Sequence, residues 1–273
     1  MHIQHVYAIY FSPTGNTKRI VCQGASEAAR LFQVPCRAIS LNLPKDRETV
    51  HTFSAGDLVI VGGPTYAGKL PNKILPTYQE KLIGKGALAL AVVTYGNRSF
   101  DNSLAELCAT LDGNGFRTVA AGAFVGTHAF SDVLAPDRPD KDDLALMVRL
   151  TDMAVSKIRQ TDGMVPRLVV DGDARAPYYV PKGVDGQPAK FLKAKPKTDL
   201  EKCVSCGLCA RQCPMGSIDP DQPSVVNGVC IKCQRCVRNC PHGAKYFDDP
   251  AFLSHVKMLE QTYSGHAENK FFI

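Results

Sequence analysis

The sequence predicts an α/β fold, a doubly wound parallel sheet of five strands, followed by a small, cysteine-rich α+β domain. Three observations carry that expectation. Short apolar, β-branched segments alternate with segments of helical period through residues 1–160. A loop of hydroxyl, amide and glycine residues sits at the first strand-to-helix turn. Eight of the eleven cysteines form two runs of identical spacing, which sets residues 199–250 apart from everything before them.

The first strand is expected over 5–11, an apolar and aromatic segment, and the first helix follows through Ile20, Gly24, Ala28 and Leu31. Between them lies Ser12-Pro13-Thr14-Gly15-Asn16-Thr17. Side-chain and backbone donors there converge beside the positive end of a helix, which makes a phosphate site. The loop lacks both the spacing of a triphosphate loop and the Gly-x-Gly-x-x-Gly of a dinucleotide fold, so a phosphate monoester fits better. An ordinary capped turn is the competing reading, because Ser, Thr and Asn are common helix N-caps. Ser12, Thr14, Gly15, Asn16 and Thr17 match the pattern Ser/Thr-x-Thr-Gly-x-Thr, and the loop resembles the FMN phosphate loop of flavodoxins. The resemblance implies FMN as a cofactor.

Further strands are expected at 36–41, 57–63, 87–95 and 119–126, with helices near 71–82, 101–114 and 140–160. The flavodoxin resemblance implies strand order 2-1-3-4-5, with the flavin over the carboxyl ends of strands 1, 3 and 4, where the order reverses. The loops after strands 3 and 4 then carry the rest of the site: Pro64, Thr65, Tyr66, Ala67 and Gly68, and Thr94, Tyr95, Gly96, Asn97 and Arg98. Tyr66 and Tyr95 would flank the isoalloxazine, or else be surface aromatics, and Gly68 would let a peptide turn toward flavin N5. His128, after strand 5, faces the flavin or a substrate, or is simply satisfied by loop hydrogen bonds. Cys22, Cys36 and Cys108 have no ligand spacing and read as small buried hydrophobes.

Residues 162–198 are rich in proline and glycine and connect two domains, 1–161 and 199–250. Tyr178, Tyr179 and Phe191 within this segment predict that it packs across both. The second domain contains Cys203-x-x-Cys206-x-x-Cys209-x-x-x-Cys213-Pro214, repeated 27 residues later as Cys230-x-x-Cys233-x-x-Cys236-x-x-x-Cys240-Pro241. Three thiolates two residues apart let one tight loop take three corners of an iron–sulfur cubane, and the proline after the fourth cysteine delivers that residue to the other cluster. One [4Fe-4S] cluster would use Cys203, Cys206, Cys209 and Cys240, the other Cys230, Cys233, Cys236 and Cys213. Zinc modules instead pair two Cys-x-x-Cys units across a longer gap, and the odd cysteine count disfavours a disulfide framework. The two runs resemble a bacterial two-cluster ferredoxin. The tail, 251–273, has a helical pattern through Phe252, Val256 and Leu259 and is expected to dock on one of the domains.

The chain of 273 residues is too long for a ferredoxin module alone, and 45% hydrophobic content supports a second, sizeable core. It has no apolar run of about 18 residues, so no membrane span is expected. The first residues lack the features of a signal peptide, which makes the cytoplasm the expected location. The formal charge is +6, but Lys and Arg outnumber Asp and Glu evenly along the chain, 17 to 14 in residues 1–160 and 15 to 12 beyond. Two oxidised cubanes of about −2 each would offset most of it, so nucleic acid is not an expected partner. The whole chain resembles a flavodoxin/ferredoxin fusion protein. That resemblance implies electron transfer among two [4Fe-4S] clusters, FMN and redox partner proteins. The alternative is an iron–sulfur flavoenzyme in which the clusters feed FMN, while His128, Arg98 and Lys69 orient an anionic small-molecule substrate.

Overall fold

The computed structural model describes residues 2–273. Its main sheet has six strands: β1 (His5–Tyr10), β2 (Cys36–Ser40), β3 (Asp57–Pro64), β4 (Leu88–Tyr95), β5 (Arg117–Val125) and β6 (Lys270–Phe272). Their order is β2-β1-β3-β4-β5-β6. The first five are parallel, with Val6 opposite both Cys36 and Leu58, Leu58 opposite Leu88, and Leu88 opposite Arg117. β3 and β4 are apolar along nearly their whole length because helices cover both faces of the sheet.

One face is covered by α1 (Asn16–Phe32) and α4 (Lys141–Gln160), whose Ile20, Val21, Ala28, Leu150, Ala154 and Ile158 form a single buried cluster with β1 and β4. The other is covered by α2 (Leu75–Lys81) and α3 (Ser103–Gly113) through Tyr78, Leu104, Leu107 and Leu111. α4 starts where it does because Asp140 accepts from the N–H groups of Asp142 and Asp143 at 2.8 and 3.0 Å. A short parallel pair, His51–Ser54 with Leu82–Lys85, lies beside the main sheet and was not expected from the sequence.

The structure adds β6 to the five expected strands. β5 would otherwise be an open edge, and the tail closes it antiparallel, with Phe271 opposite Gly122. At the other edge, β2 turns its first three residues to solvent, so Cys36 is exposed rather than buried. Cys108 is buried as expected and Cys22 is half-buried.

The cysteine-rich module contains two single-turn helices, α5 (Leu208–Arg211) and α6 (Arg235–Arg238), and a two-residue antiparallel pair, Lys197–Thr198 with Lys245–Tyr246. Its sequence repeat is also a repeat of backbone conformation. Ser205 and Lys232 have φ of 52° and 54°, Gly207 and Gln234 of 69° and 62°, and Gly216 and Gly243 of 59° each. The last helix, α7 (Pro250–Thr262), is capped by Asp249. Its Phe252 packs with Phe191 of the connecting segment, Phe130 of the α/β domain and Phe247 of the cysteine module, so all four parts meet in one aromatic cluster. No helix among the described residues is long and apolar enough to cross a membrane.

Candidate cofactor site

A cavity of about 570 Å³ opens beyond the carboxyl ends of β1, β3 and β4, where the strand order reverses. That volume lies within the usual range for a cofactor pocket. Ser12, Pro13, Thr14, Asn16 and Thr17 line it beside the first turn of α1. Gly15 does not reach the wall; it is the joint into α1, at φ 99°, a conformation that suits glycine. Two of the expected donors already have protein partners. Asn16 Nδ2 donates to the Thr127 carbonyl at 3.0 Å, and the Thr17 and Thr94 hydroxyls are 2.6 Å apart. Ser12 braces the loop as well: its N–H donates to Asn42 Oδ1 at 2.6 Å, and its Oγ accepts from the Lys18 N–H at 3.0 Å.

Pro64, Thr65, Tyr66, Ala67 and Gly68 all line the cavity. The turn is left-handed at Ala67 (φ 48°) and Gly68 (φ 79°), and is closed by hydrogen bonds between Tyr66 and Lys69. Ala67 pays a steric cost there, and the Tyr179 N–H, donating to its carbonyl at 2.8 Å, holds it in place. Burial, followed by the nearby Cys233 and Cys230 sulfurs, raises the Tyr66 phenol well above its ordinary pKa, so it is neutral.

Thr94 and Tyr95 at the end of β4, and Gly96 and Arg98 after it, line the cavity, but Asn97 does not. Its buried amide donates to the carbonyls of Tyr263 (2.5 Å) and Gly265 (2.7 Å) and accepts from the Ala267 N–H. The Tyr95 hydroxyl likewise donates to the Glu268 carbonyl at 2.6 Å. Both residues therefore fasten the tail, whose return could not be read locally. Arg98 is paired with Asp101 and stacks over the Tyr179 ring at 4.0 Å. Lys69 is turned away: it is 5% exposed, lies 3.0 Å from Glu106 and donates to the carbonyls of Ala174 and Ala176. His128 does line the cavity, and its Nδ1 accepts from the Phe130 N–H at 3.1 Å. Burial, then the neighbouring His255, Arg238 and Arg98, push its pKa down to about 4, so the imidazole is neutral.

Sequence reasoning missed much of the remaining wall. Tyr178, Tyr179 and Phe191 come from the connecting segment, Cys230 and Ile231 from the cysteine module, and His255 and Leu259 from α7. The aromatics of the connecting segment were the signal available for the first group.

The cysteines separate into two sets. Cys213, Cys230, Cys233 and Cys236 surround one small cavity, and Cys203, Cys206, Cys209 and Cys240 surround another, so each takes its fourth member from the other run. The N–H groups of Ser217 and Ala244, 27 residues apart, point at Cys213 Sγ (3.4 Å) and Cys240 Sγ (3.3 Å). Burial pushes the Cys233 thiol up to about 12, so a thiolate there needs a compensating cation such as a bound metal. Among the described residues no three potential ligands converge on a point for one ion; the sulfurs ring a space instead. The amide nitrogen of Gln234, on the wall of the first of these cavities, is buried with no partner. Thiolate-type ligands, N–H groups aimed at sulfur and an unanswered donor all fit an iron–sulfur cluster.

Two segments match models of 4Fe-4S binding domains, at residues 196–219 and 227–248. With the strand order already described, this decides the architecture. The chain joins a flavodoxin-like domain to a ferredoxin-like one. Solved structures similar to the flavodoxin-like part include a flavodoxin from the domain Archaea, at 14% identity over 57% of this chain and 100% of that one, with a TM-score of 0.38. The flavodoxin of Streptococcus pneumonia TIGR4 has 17% identity over 56% and 99%, with a TM-score of 0.40. An NADH:FMN oxidoreductase in its apo form has 18% identity over 60% and 95%, with a TM-score of 0.42. No curated protein matches the chain. Two 4Fe-4S binding domains beside a flavodoxin-like fold make this an iron–sulfur protein.

The ferredoxin-like module is docked directly against the candidate flavin site. Arg235 donates to the Pro13 carbonyl at 3.1 Å, Arg47 to the Pro214 carbonyl at 2.6 Å, and Arg238 to the carbonyls of Ala129 and Ser131 at 3.1 and 2.8 Å.

Proposed function

We propose that this chain passes electrons between two [4Fe-4S] clusters and FMN. The observation that carries the proposal is a shared wall: the cavity bounded by residues 12–17 also has Cys230 on its surface. Clusters exchange single electrons and a flavin one or two, so bound together they connect one- and two-electron carriers. Ser12, Thr14 and the N–H groups of the first turn of α1 take the phosphate, Gly15 supplies the turn, and Asn16 and Thr17 brace it. Residues 64–68 and 94–96, with Arg98, frame the ring, with Tyr66 toward the ferredoxin-like module. Cys213, Cys230, Cys233 and Cys236 hold the inner cluster, next to the flavin. Cys203, Cys206, Cys209 and Cys240 hold the outer one, where the exposed Cys206 marks the approach for a redox partner protein.

A carrier is favoured over a reductase of small anions because two of the three residues suited to orient an anion have other partners. Lys69 is paired with Glu106 away from the cavity, and Arg98 is paired with Asp101. Anaerobic purification with flavin, iron and sulfide analysis tests the assignment. The expected result is FMN and about eight iron atoms per chain; a folded protein that takes up iron but never flavin would contradict it.

A further inference from the structure

The two cysteine runs differ at several positions that line their cavities, and one of these differences puts a polar side chain where the other run has none. Gln234 stands where the first run has Gly207, and both are left-handed, at φ 62° and 69°. Glycine adopts that conformation without steric cost, whereas glutamine is not a residue that favours it. Gln234 is nonetheless 5% exposed, and its amide nitrogen is buried without a partner on a wall otherwise formed by the four cysteines, Ser217, whose hydroxyl donates to the Val229 carbonyl, and apolar side chains such as Ile218, Ile231 and Phe247. Leaving an amide N–H unanswered in such surroundings is costly. An acceptor inside the cavity removes that cost, and the sulfur of a cluster is one.

We infer that Gln234 donates a hydrogen bond to the inner cluster and raises its reduction potential, an inference that rests on the cofactor assignment above. Reduction adds one negative charge, and a donor aimed at sulfur favours the more negative state. Burial acts the opposite way. Cys233 is buried while its counterpart Cys206 is exposed, so desolvation alone would make the inner cluster the harder of the two to reduce. Gln234 offsets that penalty on the side where the flavin cavity lies. One electron then leaves the outer cluster and reduces the inner one, with no proton moved and no bond formed.

The test is a redox titration of the holoprotein followed by electron paramagnetic resonance, comparing wild type with Gln234→Gly, which retains the left-handed backbone. One of the two one-electron steps should move to lower potential by about 59 mV, a tenfold change in its equilibrium constant, while the other stays. Gln234→Asn, which tolerates this backbone but shortens the reach, should move the same step in the same direction and decides the matter if the glycine variant fails to assemble. Neither step moving, or both moving together, at wild-type iron and sulfide content, overturns the inference. A wild-type chain that binds no iron defeats the cofactor assignment instead, so the two failures are distinct.

Discussion

The two domains hold themselves together in opposite ways. The flavodoxin-like domain buries long apolar strands between two helical layers, and clusters of large side chains fill both faces of its sheet. Between residues 199 and 249 the buried apolar side chains are Ile218, Cys233 and Ala244. So small a core cannot offset the entropy of ordering about 50 residues. The first domain folds for itself and presents a site; the second folds around what it binds and against its neighbour.

The largest expected effect therefore comes from removing iron. Chelation should release residues 199–249 while the main sheet stays folded, because cluster binding and folding are coupled only in the module. Hydrogen exchange checks this: amides of α5 and α6 should lose protection while those of β3 and β4 keep it. Loss of protection throughout would mean that the two regions stand or fall together.

Within the proposed flavin site the effects should be graded. Thr14→Ala removes a hydroxyl facing the phosphate position, at about 1.5–3 kcal/mol for a charge-assisted hydrogen bond, or roughly 10- to 150-fold in FMN affinity. Thr17→Ala breaks the pair with Thr94, and should cost only about 0.5–1.5 kcal/mol. Titration calorimetry of FMN into the two apo variants separates them, and equal losses would show that Thr17 also meets the ligand. Asn97→Ala leaves carbonyls of the tail without their donor, at about 1–3 kcal/mol of stability. Faster proteolysis after Thr262, with FMN affinity little changed, is the expected readout.

Arg98→Gln should have the smallest effect. A lone charge about 6 Å from the flavin would contribute about 3 kcal/mol at an effective dielectric near 20. Asp101 cancels most of that. The flavin midpoint potential should therefore fall by only about 10–30 mV in a titration at fixed ionic strength. A fall approaching 100 mV would show that Asp101 does not screen the guanidinium.

The parts of this molecule that were legible in its sequence share one property: their partners are near in the chain or their pattern is long. Four of the five parallel strands carry apolar runs, and the cysteine runs carry their spacing within eleven residues. What escaped depends on distant partners. Strand β6 has three residues and pairs with a strand about 150 positions earlier, too short for an alternating pattern to register. Asn97 looks like a loop amide free for a ligand until the tail returns to occupy it. Lys69 looks like a cation beside the flavin until Glu106, on α3, is brought to 3.0 Å. The inner wall of the cavity was invisible for the same reason, since Tyr179 reaches it through the return of the connecting segment onto Ala67, and Cys230 through the docking of the second domain on the first.

On the proposed assignment the inner cluster is the one beside the flavin, and Cys213→Ala, which removes the fourth sulfur of the inner set, isolates the exchange between them. Reduction of the flavin after a single reducing pulse should be first-order and independent of protein concentration in the wild-type chain. In the variant, with the outer cluster and FMN still bound, that phase should disappear. An unchanged rate in Cys213→Ala would contradict a route through the inner cluster.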